Sequence, residues 1–475
     1  MALVENRRND PPLTELALTG PYLTGPYLTG WYAPVGDELD VADMPVTGSI
    51  PPALSGLYVR NGPNPMFEPK GRYHVFDGDG MLHGVYLDDG RARYRNRWIR
   101  TDGLEAERRA GRALYGGMAN ADFPDAGELG GGPPMKNVAN TNVIRHAGRT
   151  LCLWEAGLPT EVTWELDTVG LHDFSGTYAG TFSAHPKTDP VTGELATFGY
   201  GLDIGYRVIS ARGEVTHSVQ IPLRAPVMMH DFVMTEDHAV FLDAPAVFDF
   251  VAFARGEPML RWRPDNGTRF GVLPRRGTAD DIMWIEVENC YVFHFMNAWT
   301  QDGKVIVDGA RLSRMDIGLE EDTSPASAEG ALHRWTIDLS TPTATCERLG
   351  ELPGDLPRVS PRREGLRNRF GYLATFSTGV AKMGEFDSVT KHDFDGNTQT
   401  THRYGTHQVA GEAVFAPDPD GAAEDDGWLL NFVTDKSALS TDLVILEAHD
   451  LDEVARVHLP RRVPFGFHGN WMPEA

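Results

Sequence analysis

The chain has 475 residues, 41% of them hydrophobic, and a formal net charge of −24. That length suits two or three ordinary domains or one large closed architecture, with enough apolar material for a sizeable core. The acidity argues against nucleic acid as a partner, because binding there needs clustered Lys and Arg to neutralise phosphates, and it opposes electrostatic docking on anionic lipid. The three cysteines, Cys152, Cys290 and Cys346, are odd in number and widely spaced. They are poor material for a disulfide framework or a zinc site and suit a reducing compartment. The opening MALVENRRNDPP has no apolar h-region, and no apolar stretch approaches the ~20 residues that cross a bilayer. The expectation is a soluble, cytoplasmic protein.

In chain order, LTGPYLTGPYLTGWY repeats the pentad TGPYL and reads as a short tandem duplication in an extended arm over residues 1–30. LDDGRARYRNRWIR sets an Asp-Gly turn before an alternating run. DGLEAERRAGRALYGG is the clearest helix, and GELGGGPP reads as a solvated loop. HPKTDPVTGELATFGYG and VISARGEVTHSVQIPL are hairpins with turn chemistry at the right place. VFDFVAFARGE suits a short amphipathic piece, while IGLEEDTSPASAEGA and APDPDGAAEDDG read as further loops. None of these loops looks like a domain linker, because strand patterns resume on either side. Many short strands in one uninterrupted chain predict an all-β sandwich, barrel array or propeller over residues 31–475. Seven blades would take roughly 60–70 residues each.

Sixteen histidines are present. Most sit among polar or alternating residues, as ordinary hydrogen-bonded or surface histidines do. Four have a different setting: His185 in GTFSAHPK, His230 in APVMMHDF, His294 in CYVFHFMNAW and His468 in PFGFHGNW, each beside Phe, Met or Trp. Their separations are 45, 64 and 174 residues, the first two about one blade each. Inward residues from four blades of a propeller could meet at one point. FDGDGML lacks the ligand spacing of an EF-hand and reads as a tight Asp-Gly turn, and its neighbours His74 and His83 are left out of any metal set.

The string LSGLYVRNGPNPMFEP, followed by YHVFDGDGMLHGV, ANTNVI, LWEAGLP, the four histidine contexts, FGVLPR, GEAVFAP and the FHGNW tail, resembles the carotenoid cleavage oxygenase family from about residue 30 onward. The resemblance implies a seven-bladed β-propeller with a loop and short-helix cap over one face. It also implies a non-haem Fe(II) held by His185, His230, His294 and His468. Carboxylates behind three of those rings would be Glu155, Glu412 and Asp355, the last standing where the family pattern has glutamate. Thr141 matches a threonine beside an open coordination position. Imidazole suits iron, copper, nickel or zinc alike, but zinc has no redox chemistry for dioxygen.

The absence of GxGxxG and Walker motifs implies no nucleotide cofactor. The family reaction adds both atoms of O2 across one C=C bond and gives two carbonyl products. Trp154, Phe293, Met228 and Tyr32 are expected to line the tunnel, with Phe467 expected instead in packing. Phenolic-stilbene cleavers resemble one another in having lysine just before the first of these glutamates. Here that residue is Trp154, whose apolar face suits a polyene, so carotenoid or apocarotenoid cleavage is the expectation. The alternatives are the same chemistry on a phenolic stilbene or phenylpropene, and a non-cleaving polyene-binding protein or isomerase. VFDFVAFA is a candidate apolar patch at the tunnel mouth for taking substrate from membranes, with a buried strand or helix as its alternative.

Overall fold

The structure is a computed structural model that describes residues 27–118, 122, 124–317, 330–377 and 384–474. Most of the expected arm, with its pentad repeat, lies outside the described residues, as does most of IGLEEDTSPASAEGA.

Seven antiparallel sheets form a seven-bladed β-propeller. Blade two runs outward from the axis as Asn142–His146, Arg149–Leu153, Thr160–Val162 and Thr168–Leu171. Blade three follows as Lys187–Thr188, Leu195–Tyr200, Asp203–Ile209 and Val215–Pro222, and blade four as Phe232–Met234, His238–Asp243, Thr268–Pro274 and Met283–Val287. Blade five is Tyr291–Gln301, Lys304–Leu312, Ala331–Asp338 and Thr343–Arg348; blade six is Gly354–Arg358, Phe370–Thr375, Ser388–Asp393 and Thr398–Arg403.

Blades one and seven mix the two ends of the described chain. The innermost strand of blade one is Gly469–Pro473, which pairs with Gly56–Pro63 in the register Tyr58↔Trp471 and Val59↔Asn470. Gly80–Asp88 and Arg91–Trp98 complete its body. Blade seven starts from Gln408–Ala410 and Val414–Pro417, continues through Gly427–Asp435, Ser440–Glu447 and Glu453–His458, and takes Val46–Gly48 as its outer edge. Strands distant in sequence thus complete both blades and tie the two ends of the described chain into the ring.

Burial follows position within a blade. Every residue of Gly56–Pro63 is buried, whereas the outer strand Val215–Pro222 alternates half-buried and exposed residues up to Gln220, with Ile221 alone buried. Apolar side chains fill the seams between blades, as where Tyr58 of blade one meets Phe432 of blade seven edge-on at 4.9 Å.

Helices are few and lie in connections. Asp102–Ala110 starts at Thr101, whose hydroxyl accepts from Leu104 N, and stops at Gly111 with φ of 69°. GELGGGPP is not wholly loop: Ala126–Leu129 forms one helical turn, because Asp125 and Glu128 make a reciprocal capping box. The stretch VFDFVAFARGE holds Phe250–Phe253, started by Asp249 accepting from Ala252 N at 2.9 Å and framed by the hairpin Ala246–Phe248 and Leu260–Trp262. No helix among the described residues is long and apolar enough to cross a membrane.

Candidate metal centre

Every blade brings one side chain to the same end of the axis, at or near the start of its innermost strand. They are His468 from blade one, Thr141 from two, His185 from three, His230 from four, His294 from five, Asp355 from six and Glu412 from seven. His294 and Asp355 stand inside strands, but each lies where the ladder register shifts, between Val292 and Phe295 and between Asp355 and Arg358. Such irregularities free a side chain from the ladder and re-aim it. Leu356, with φ of 54°, marks the bend beside Asp355.

The four histidines converge on one point. Neighbouring Nε2 atoms are 3.0 Å apart for His185 and His230, 3.2 Å for His230 and His294, and 3.2 Å for His294 and His468. One ligand nitrogen from each of the four lies within 4.8 Å of all the others. Imidazole nitrogens held at right angles about 2.1 Å from a common centre would sit about 3.0 Å apart, so the donor set fits a first-row metal ion. Burial together with the neighbouring histidines pushes the His185 pKa well below its ordinary value. Burial also pushes that of His468 down to about 4, against the opposing pull of Glu412. Neutral rings leave lone pairs for a cation. At His230 burial acts the same way, but the Glu155 carboxylate outweighs it and the pKa is raised.

The outward nitrogens face carboxylates. Glu155 Oε1 abuts His230 Nδ1, Asp355 Oδ1 lies 3.0 Å from His294 Nδ1, and Glu412 Oε1 lies 3.1 Å from His468 Nδ1. The shorter Asp355 therefore reaches its histidine directly, with no water needed as a bridge. Its surroundings are more open than those of Glu412, with 25% of the side chain exposed against 5%. Glu412 is also gripped by Arg358 and by Gly469 N. Burial alone would raise the Glu412 pKa; Arg358 and His468 hold it well below the usual carboxylate range. His185 has no carboxylate partner among the described residues, and its backbone N–H donates to Ser183 Oγ. Thr141 donates its hydroxyl to Asn140 Oδ1 at 3.0 Å, while its carbonyl accepts from His468 N.

A cavity of about 1090 Å³ opens onto this end of the axis, lined by His230, His294, His468, Thr141, Glu155 and Asp355. Trp154, Phe293, Met228 and Tyr32 also line it, and Phe293 sits edge-on to His230 at 5.8 Å. Phe467, expected in packing, is half-buried in the cavity wall, because the edge-on contacts with Phe76 and Phe465 cover only part of its ring. His74 and His83 stay out of the set: His74 bonds Ile317 O and His83 bonds Tyr94 OH. Lys136, also in the wall, lies 2.5 Å from both Asp79 and Glu107. Tyr200, unnoticed in the sequence, donates its hydroxyl to Glu155 Oε2.

Comparison with known proteins agrees with this architecture. A family profile described as "Retinal pigment epithelial membrane protein" matches residues 32–473. The chain is 37% identical to a carotenoid cleavage oxygenase of Mycobacterium tuberculosis, over 93% of this chain and 96% of that one. The chain belongs to the carotenoid cleavage oxygenase family. It is thus an oxidoreductase of the oxygenase class. An isoeugenol monooxygenase of Pseudomonas nitroreducens is 32% identical, over 98% of this chain and 99% of that one. The crystal structure of a Pseudomonas brassicacearum lignostilbene dioxygenase superposes with a TM-score of 0.90 at 30% identity, covering 95% of this chain and 99% of the other.

Proposed function

We propose that this chain is a non-haem Fe(II) dioxygenase that cleaves one C=C bond of a carotenoid or apocarotenoid to two carbonyl products. The observation that carries the reading is the four-histidine cluster at the wall of a large, mostly apolar cavity. His185, His230, His294 and His468 would hold the iron. Bound there, iron would supply the capacity to activate dioxygen, which an alkene does not react with unaided. The reaction balances without another reductant: one C=C and one O=O bond break, and two C=O bonds form.

The protein's own share is orientation. Glu155, Asp355 and Glu412 fix the rings of His230, His294 and His468 and supply negative charge opposite a cation held by neutral imidazoles. Trp154, Phe293, Phe467 and Met228 give an apolar wall on which one bond of an extended chain can be registered. Substrate class rests on Trp154: its indole precedes Glu155 where stilbene cleavers have lysine, and Lys136 is engaged by Asp79 and Glu107. The aryl-alkene reading keeps support from the isoeugenol and lignostilbene relatives. Phe250 and Val251, 56% and 65% exposed, stand at the cavity rim or next to it and suit peripheral contact with a membrane that carries the substrate.

The test is incubation of iron-loaded protein under 18O2 with an apocarotenal and, in parallel, a hydroxystilbene. Labelled aldehydes from the apocarotenal alone are expected. Labelled products from the stilbene alone would overturn the substrate class, and none from either would overturn the cleavage reading. His230→Ala should lose both iron and turnover.

A further inference from the structure

The three carboxylates behind the histidines do not have equal distances to bridge around the ring. Asp355 on blade six meets His294 of the adjacent blade five, and Glu412 on blade seven meets His468 of the adjacent blade one. Glu155 follows the second strand of blade two and meets His230 of blade four, so the blades that carry this pair are not neighbours in the ring. A carboxylate reaching that far needs a support on blade three.

Tyr200 is that support. It ends the second strand of blade three, Leu195–Tyr200. Its hydroxyl donates to Glu155 Oε2 while Oε1 of the same carboxylate faces His230 Nδ1. Glu412 has Arg358 and Gly469 N to hold its second oxygen; among the described residues, Oε2 of Glu155 has only the Tyr200 phenol. Burial first, then the Glu155 charge, keeps the phenol pKa well above its ordinary value, so the hydroxyl remains a donor at all physiological pH. Local packing is built for this placement. A Cβ on Gly199 would lie 2.2 Å from Thr181 O, so only glycine lets the strand end approach that backbone. On its other side the Tyr200 ring lines the cavity and stacks on Phe248 at 6.2 Å and 14°, and Phe248 stacks in turn on the exposed Phe250.

We propose that Tyr200 is a positioning residue of the oxygenase centre, locking the rotation of Glu155 and thereby the ring of His230. The inference rests on the reading of the four histidines as a metal centre. Outer partners of metal-ligating histidines typically change metal affinity or activity 10–100-fold when removed.

The experiment compares Tyr200→Phe and Phe248→Leu with the parent chain. Metal affinity is measured by chelator competition with Fe(II) and with Co(II), the cobalt absorption band is recorded, and kcat and KM are followed on the apocarotenal. Tyr200→Phe is expected to weaken metal affinity about 10-fold or more and shift the cobalt band. It should lower kcat with KM within twofold, and lower the Tm of the metal-free protein by no more than about 3 °C. Phe248→Leu keeps the hydroxyl and is expected to raise KM with metal affinity unchanged. Tyr200→Phe with parental affinity, band and kcat would overturn the inference while leaving the metal centre standing. So would a loss confined to thermal stability or to KM. A parent chain that binds neither metal would overturn the metal reading and this inference with it.

Discussion

Replacing Glu412 by glutamine tests how the centre is held together independently of its chemistry. Glu412 accepts from His468 Nδ1 at 3.1 Å and from Gly469 N at 3.1 Å, and Arg358 contacts both oxygens at 2.8 Å. Glutamine keeps the shape but has one acceptor oxygen, so its amide would point N–H groups at Arg358 and at either His468 Nδ1 or Gly469 N. Removing one partner of a buried ion pair costs about 3–5 kcal/mol. Arg358 is 27% exposed, and solvent there screens the pair, so the lower end, about 3 kcal/mol, is the appropriate figure. Unfolding entropy of roughly 2.1 cal/mol/K per residue gives about 1 kcal/mol/K for a chain of this length, hence a fall in Tm of about 3 °C. The assay is thermal unfolding of metal-free protein followed by circular dichroism. The paired change Glu412→Leu with Arg358→Met leaves no orphaned charge, although His468 Nδ1 and Gly469 N lose their acceptor, and should recover part of the loss. A Glu412→Gln protein melting within 1 °C of its parent would refute the account, as would a pair less stable than the single variant.

Three further expectations follow from the same geometry. Asp355→Glu should weaken metal affinity about 10-fold in a chelator competition, because the 3.0 Å contact to His294 is already made and an added methylene must displace one partner; tighter binding would contradict this. His392 is buried on blade six against Phe394, and burial pushes its pKa down to about 4 from an unfolded value of about 6.5. Between those values the unfolded chain holds the extra proton, so stability is intact above pH 6.5 and falls as pH drops towards 4, by about 3 kcal/mol. Denaturant titrations of His392→Gln should show a flatter pH dependence by that amount. Phe250→Asp with Val251→Asp should reduce flotation with neutral vesicles and raise KM for a vesicle-borne polyene, without changing turnover of detergent-dispersed substrate.

Much of the fold was written in local chemistry. Asp-Gly, Arg-Gly and Pro/Gly turns between alternating runs identify hairpins without tertiary information, and the structure has them at Gly80–Asp88 with Arg91–Trp98 and at Asp203–Ile209 with Val215–Pro222. The blade-like spacing of histidines in apolar settings pointed to an axial cluster. What stayed hidden depends on contacts across blades. The one-turn helix Ala126–Leu129 escaped notice because its cap residue, Asp125, stands outside the glycine-rich stretch that suggested a loop. His392 sits among polar neighbours in sequence, yet its strand is central in its blade and the ring is buried. Tyr200 reads as an ordinary strand tyrosine. One signal was available: it lies 45 residues beyond Glu155, the same offset that separates His185 from His230.

The placement of one residue per blade explains why the centre needs no sequence-local motif. Helical metal motifs set two ligands on one face by spacing alone. Here each of the four histidines comes from a different blade, and the 3.0–3.2 Å between neighbouring ring nitrogens follows from how the blades pack around the axis. The geometry of the histidine cluster is then as rigid as the ring, and the ring is closed by Gly469–Pro473, the strand that immediately follows His468. Backbone bonds reinforce the closure: Asn61 N donates to His468 O, His468 N to Thr141 O, and Phe467 N to Asn61 O, tying blades one and two at His468 itself. The apolar residues around His468 therefore serve two ends at once. Phe465 and Phe467 face the cavity, Gly466 and Gly469 let the backbone pass within contact of Arg60, and the histidine is delivered where the propeller shuts. Closing the ring and bringing the fourth histidine to the cluster therefore depend on the same few residues of this chain.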